Sequence, residues 1–223
     1  LIKLQKIKPR TIKNFFDKSY KLENYSIKNL HKESDLFFDW YLPLIMKKNK
    51  ARKIKKVLKK KLQALYKKLK FNNNIFVHRD FHVSNLMKID NQIGVIDSQD
   101  AIIGNPTYDL ASLIDDVRIK TSNQLRKNIL NYYFDKCPKI YRRKKNDFIH
   151  DFNILSVQRS LKIIGIFSRL FKRDKKKQYL KFIPYTWKLL EIRSKDKMFG
   201  EINKILNQFI PLKTRTKIKF YEN

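Results

Sequence analysis

The sequence predicts an α+β fold, predominantly helical, with one small β patch in its middle. Three observations predict it. Apolar residues recur at helical spacing over 49–70, the period changes to that of strands over 75–96, and helical spacing resumes from Thr107. No internal repeat and no flexible linker interrupts the chain, so its 223 residues fit a single domain with one core.

Residues 1 to about 25 are mixed and weakly periodic. A helix is expected from 31 or 34 to 46, with Phe37, Phe38, Tyr41, Leu42 and Ile45 on its apolar side. The segment 49–70 follows, where Ile54, Val57, Leu58, Leu62, Leu65, Tyr66 and Leu69 form one stripe and Lys fills the other faces as a solvated surface. Asn72, Asn73 and Asn74 then turn the chain. Ile75, Phe76 and Val77 read as a short buried strand, and 86–89 with 92–96 as a hairpin around Asp90 and Asn91. Helices are expected over 107–118, starting behind Pro106, then over 122 to about 137, 147–171, 174–192 and 201–209. The expected organisation is therefore helical over 1–74, loop and hairpin over 75–105, and helical over 106–223.

The charge is extreme, 52 Lys+Arg against 20 Asp+Glu, formally +32. Such a balance invites a nucleic-acid or anionic-membrane partner. However, only 12 of the cations are Arg, the better reader of bases and phosphates, and the Lys are spread along the whole chain. Compositional bias explains that distribution better than selected binding, so no specific nucleic acid is expected. Cys137 is the only cysteine, which excludes an intrachain disulfide and suits a reducing cytoplasm. The longest uncharged apolar run, 40–46, contains Pro43 and falls far short of a membrane span of about 20 residues. The first residues show no signal-peptide pattern and no initiating Met.

Between two apolar segments stands "HRDFHVSN", residues 78–85, two His, an Arg, an Asp and an Asn within eight positions. His78-Arg79-Asp80, four residues, then Asn85 matches the catalytic loop of protein-kinase-like phosphotransferases. The residue types follow from the chemistry. A phosphoryl acceptor hydroxyl needs a neighbour that orients it and takes its proton, which suits Asp80. Phosphates carried by Mg²⁺ need hard oxygen ligands, which suits Asn85. The hairpin returns Asp97 to the neighbourhood of Asn85, making it the natural second ligand. His78 and His82, four apart in a loop with no nearby Cys, do not make a zinc pair. His78 is expected to bond structurally, and His82 to touch phosphate or orient Asp80.

"FVHRDFHVSNLM", "IGVIDSQDAIIGNPTYDLASLIDD" and "VQRSLKIIGIFSRLFKRDKKKQYL" together resemble the aminoglycoside phosphotransferase superfamily. Within it they are most similar to bacterial cytoplasmic kinases of the cell-wall amino sugars N-acetylmuramate and N-acetylglucosamine. "SDLFFDWYLP" at 34–43 resembles a segment carried upstream in those kinases, so the resemblance covers most of 34–185. It implies the C-terminal lobe of a kinase-like fold, with ATP and Mg²⁺ as cofactors and a small-molecule acceptor. It implies Asp80 as base, Asn85 and Asp97 as magnesium ligands, and Asp109 in "TYDLA" as the buried support of the catalytic loop. An ordinary helix-start carboxylate would explain Asp109 equally well. Ser98 departs from the pattern, which places a large aromatic after the metal-binding Asp.

Gln158, Lys162 and Arg169 form a polar line on one expected helix, with Gly165 on the same stripe. Such a line is ordinarily a solvated face. It could also let another element approach at Gly165 while Lys162 or Arg169 meets an anionic substrate. Gln99 and Asp100 are candidates for sugar hydroxyls.

No Gly-rich loop and no strand Lys of a nucleotide clamp precedes the catalytic loop, and the four glycines are Gly94, Gly104, Gly165 and Gly200. The chain is expected to be a C-terminal lobe that needs an N-terminal lobe, in cis or in trans, for activity. A kinase of another small alcohol, of the aminoglycoside, choline or homoserine type, remains an alternative. So does a non-catalytic basic remnant that binds polyanions or RNA.

Overall fold

The computed structural model describes residues 1–8, 12, 13, 16 and 18–216. The end of the expected helical segment, 217–223, lies outside the described residues, as do 9–11, 14, 15 and 17 of the segment 1–74. Most described residues are helical, with three small antiparallel strand pairs. The helices are α1 (Ile27–Leu36), α2 (Leu42–Ile45), α3 (Lys48–Tyr66), α4 (Tyr108–Ile114) and α5 (Asn123–Lys136). They continue with α6 (Lys139–Arg143), α7 (Lys145–Lys172), α8 (Ile183–Arg193), α9 (Gly200–Phe209) and α10 (Leu212–Thr216). The strands are β1 (Ile12–Lys13), β2 (Ser19–Tyr20), β3 (Ile75–Val77), β4 (Leu86–Ile89), β5 (Gln92–Val95) and β6 (Ile102–Gly104). The chain divides into two compact units, the first from Leu1–Ser26 and Lys70–Leu155, the second from Ile27–Leu69 and Ser156–Asn223.

In the first unit, β1 pairs with β2, so the segment 1–74 holds strands as well as helices. Two residues per strand leave no alternation to read. β3 forms where three apolar residues predict it, and its partner is β6, with Ile75 opposite Gly104 and Val77 opposite Ile102. Gly104 is required there, because a Cβ would stand 2.9 Å from Val77 Cγ2. Ile103 N donates to Glu23 O and Tyr25 N donates to Ile103 O, both at 2.8 Å, so a further segment lies along β6. β4 and β5 make the expected hairpin, turning at Asp90 with φ 50°, a left-handed conformation that Asp tolerates. Ser122 caps α5 by accepting from Leu125 N at 3.1 Å. The core gathers Leu110, Ala111, Ile114, Tyr133, Phe134, Cys137, Tyr141, Phe148 and Phe152. Burial there pushes the Tyr133 hydroxyl and the Cys137 thiol up from their ordinary pKa values.

The second unit begins one turn earlier than the expected helix and is not regular throughout. Between α1 and α2, residues Phe37–Tyr41 make a π-helical turn, and Leu42 N bonds back to Phe37 O. Pro43, in the first turn of α2, has no N–H to give, so the ladder is interrupted at this point whatever the side chains do. The turn places Phe37 and Tyr41 against Trp187, whose indole N–H donates to Tyr41 Oη at 3.1 Å. Burial pushes the Tyr41 hydroxyl up to about 12. Arg215 stacks over the Trp187 ring at 4.9 Å and donates to Glu191, Asn207 and the Ile210 carbonyl, each at 2.7 Å. The expected helix 174–192 is shortened to α8 by a 3₁₀ segment over Lys177–Phe182 that runs into Pro184.

Candidate active site

The catalytic loop lies in the first unit between β3 and β4. Its start is held by Asp109, in the first turn of α4. Asp109 Oδ2 accepts from His78 N at 2.7 Å and Oδ1 accepts from Arg79 N at 3.0 Å. A buried carboxylate that takes two backbone N–H groups fixes direction as well as position. It also holds Arg79 at φ 70°, a left-handed conformation that costs a residue with a Cβ about 1–2 kcal/mol. His78 is buried, and its Nε2 lies 3.0 Å from the Ile96 carbonyl. A carbonyl can only accept, so Nε2 carries the proton and ties the loop to the end of the hairpin. Phe81 anchors the middle of the loop in the interior.

The end of the loop is organised around Asp80 and Asn85. The Asp80 carbonyl accepts from His82 N and from Asn85 Nδ2, both at 3.0 Å. Asn85 Nδ2 also lies 3.4 Å from Asp97 Oδ2. Its backbone carbonyl accepts from Ile96 N at 3.1 Å, closing the hairpin onto the loop. Residues twelve apart in sequence are thereby brought side by side. Asp97, at φ 70°, is exposed and accepts at Oδ1 from Gln99 Nε2. Asp100 offers its carbonyl to the Arg79 guanidinium at 3.2 Å, and that guanidinium stands 5.8 Å from the Tyr25 ring centroid.

The phosphotransferase enzyme family matches residues 16–144, more than half of the chain. The chain belongs to this family. It is also 31% identical over 170 residues to the N-acetylmuramate/N-acetylglucosamine kinase of Neisseria meningitidis, covering 73% of this chain and 50% of that one. The kinase of the same name from Pseudomonas aeruginosa is 32% identical over 169 residues, with 73% and 49% covered. That of Caulobacter vibrioides is 31% identical over 146 residues, with 63% and 39% covered. The chain spans about half the length, or less, of these curated relatives.

For a member of the phosphotransferase family, a divalent ion with phosphate is the group to test against this site. Asn85 Nδ2 is committed to the Asp80 carbonyl, which leaves Oδ1 as the amide atom able to coordinate. Asp97 adds an exposed carboxylate beside it. Two hard oxygen donors, with room for phosphate oxygens and water, fit Mg²⁺. No group of three or more His, Cys, Asp or Glu able to hold a metal occurs among the described residues. An amide oxygen and a carboxylate are the hard donors that Mg²⁺ takes, whereas zinc sites are built mainly from Cys and His.

Gln158, Lys162 and Arg169 belong to the second unit, and the expectation of a solvated line is corrected there. Gln158 and Lys162 are buried, with Gln158 Nε2 donating to Glu33 Oε2 at 3.0 Å and Lys162 Nζ to Glu33 Oε1 at 3.1 Å. An amphipathic pattern cannot tell a solvated polar stripe from one that faces a buried carboxylate on another helix. With its charge matched by Glu33, Lys162 is a poor receptor for a substrate anion. Arg169 is half-buried, and its charge helps hold the Asp174 carboxyl below its ordinary pKa, after Arg173 and Lys176.

Three supporting residues carry no signal in the sequence. Asp151, fully buried, accepts from Lys70 N at 2.8 Å, Phe71 N at 2.9 Å and Asn105 Nδ2 at 2.8 Å. Asn105 in turn accepts from Thr107 N and Thr107 Oγ1 just ahead of α4. Asp116 accepts from Val83 N at 3.2 Å. An Asp inside or after an amphipathic helix reads as a surface residue until its partners are known.

Proposed function

We propose that this chain is the catalytic lobe of an ATP-dependent phosphotransferase that phosphorylates a hydroxyl of an amino sugar such as N-acetylmuramate or N-acetylglucosamine. The observation that carries the reading is the Asn85 amide held 3.4 Å from the Asp97 carboxylate by the loop that bears Asp80. The relatives' names support the acceptor class. Asp80 accepts the acceptor hydroxyl proton as that oxygen bonds to the γ-phosphorus and the bond to the β-bridging oxygen breaks. Mg²⁺, when bound, neutralises the charge of the ATP phosphates. Asn85 Oδ1 and Asp97 hold it, and Asp109 keeps the start of the loop in register.

The same proposal takes 1–223 as one lobe whose activity needs an N-terminal, nucleotide-binding lobe in cis or in trans. The hairpin favours such a cover. Met87, Ile89, Ile93 and Ile96 are all exposed on a two-stranded ribbon that would be marginal alone. No helix among the described residues is long and apolar enough to cross a membrane. The single cysteine, Cys137, suits a reducing compartment, and we place the enzyme in the cytoplasm on that ground.

The test uses the full-length protein with ATP and a panel of N-acetylmuramate, N-acetylglucosamine, an aminoglycoside, choline and homoserine. Phosphorylation of an amino sugar is expected, and Asp80→Asn should lower kcat by about 10²–10⁴-fold. Full activity in that variant would remove Asp80 from its role. Transfer only to another alcohol would change the acceptor and keep the chemistry.

A further inference from the structure

We propose that Asp116 is a positioning residue for phosphoryl transfer, fixing the second half of the catalytic loop through the N–H of Val83. The proposal rests on the function read above and deepens it. Asp116 is 3% exposed and lies just past the end of α4. Its Oδ1 accepts from Arg118 N at 2.9 Å, a local turn that any Asp can form with the residue two ahead. That turn does not account for Oδ2, which reaches across 33 residues of sequence to accept from Val83 N at 3.2 Å. Arg118 remains at the surface with its guanidinium 3.9 Å from Oδ1.

The two ends of α4 therefore do matching work. Asp109 in its first turn holds the N–H groups of His78 and Arg79, and Asp116 beyond its last turn holds that of Val83. Asp80 lies between the two points. A helix of seven residues is a rod of about 10 Å whose ends cannot move independently. With Phe81 sunk in the interior and the Asp80 carbonyl tied to Asn85, this rod sets where the Asp80 carboxylate stands relative to Asn85 and Asp97. Releasing Val83 would loosen the turn that joins Asp80 to Asn85, so the base would lose its placement while Asp109 still holds His78 and Arg79. Misplacement of a reacting group by about 1 Å costs about 10²-fold in rate.

Two variants of the full-length protein remove the same bond from opposite sides. Asp116→Ala removes the acceptor. Val83→Pro removes the donor, and the backbone is already suited to it. Val83 opens a 3₁₀ turn, where a proline fits, and His82 before it is extended at φ −130° and ψ 166°. Each variant is expected to lower kcat by about 10–100-fold with both KM values within about threefold. The double variant should be no worse than either single one. Asp116→Asn, which keeps an acceptor oxygen, should recover part of the rate. Independent, multiplying losses, or a change in stability with kcat intact, would overturn the role. Amide hydrogen exchange separates this from the functional reading. In Asp116→Ala the Val83 N–H should lose protection while those of His78 and Arg79 keep it, whether or not an acceptor has been found. If the wild type phosphorylates no alcohol, the functional reading fails and takes the positioning role with it. If it is active and Val83 exchange is unchanged, Asp116 alone is wrong.

Discussion

On α7, Gly165 faces the end of α1 so closely that a Cβ built there would lie 2.3 Å from Leu36 C and 2.5 Å from Phe37 N. Both are backbone atoms at the entry to the π-helical turn, and no rotamer change can open the gap. Gly165→Ala should therefore destabilise the protein by about 3 kcal/mol, near the upper end for overpacking. For a chain of this size that lowers Tm by roughly 6–12 °C. Gly200 gives the opposite expectation, since nothing lies within 4 Å of its Cβ position and it sits at the start of α9 with φ −51°. Gly200→Ala should be neutral or stabilising by up to about 1 kcal/mol. Thermal unfolding of the two variants side by side checks this, and equal shifts would remove the close-approach explanation. At this scale the sequence shows where a small residue is needed only by its company on a stripe. Asp80, Asn85 and Asp97 stand out as candidates in the sequence because their types and spacing answer to one chemistry. The structure brings Asn85 beside both the Asp80 carbonyl and the Asp97 carboxylate. Asp116 and Asp151 do not stand out, because a lone carboxylate near a helix end has several equally good meanings until its long-range partners are in view.

Elements declare themselves when they are long or when their period is sharp. α3 and the β4–β5 hairpin stand where their patterns place them, whereas β6 and α6, with three and five residues, are too short to show a period. The π-helical turn was illegible for another reason: a helical apolar stripe continues through it, and only Pro43 hints that the ladder breaks. The buried seam joining α1 and α7 shows the same limit, because Glu33 on its own helix reads as a surface acid. Its side chain is 8% exposed and that of Lys162 11%, so neither charge is well solvated. Glu33→Ala should cost up to about 3–5 kcal/mol, since it removes the carboxylate that faces the buried Lys162 ammonium and the nearer of the two oxygens to which Gln158 Nε2 donates. Replacing both partners with leucine should recover most of that loss, because an apolar pair needs no counter-charge. Chemical denaturation of the single and double variants measures both. A double variant as unstable as the single one would mean that the seam is held by its packing geometry and not by matched charge.

Over the whole molecule, a formal charge of +32 opposes compaction by self-repulsion. α3 concentrates the effect, since its 19 residues contain no Asp or Glu, and Lys48, Arg52, Lys56 and Lys60 stand at i, i+4 intervals along one exposed stripe. Neighbouring lysines are balanced from within the second unit, where Lys55 meets Asp39, Lys59 meets Asp35 and Lys61 meets Glu201. Three like-charge pairs at about 0.2–0.5 kcal/mol each already oppose the helix by about 1 kcal/mol. Raising the salt from about 0.01 to about 0.15 M shortens the screening length from about 30 to about 8 Å. Tm should rise by at least about 2–4 °C over that range. Lys56→Glu, which converts two repulsive pairs into attractive ones, should raise Tm at low salt and lose most of that advantage at high salt. A Tm that falls with added salt would mean that the ion pairs outweigh the repulsion. The same field attracts polyanions without selecting among them, so nucleic-acid binding that weakens steeply with salt and changes little between sequences belongs to the charge alone. Sequence-selective binding that survives about 0.2 M salt would instead call for a dedicated surface, which a uniform spread of Lys does not build.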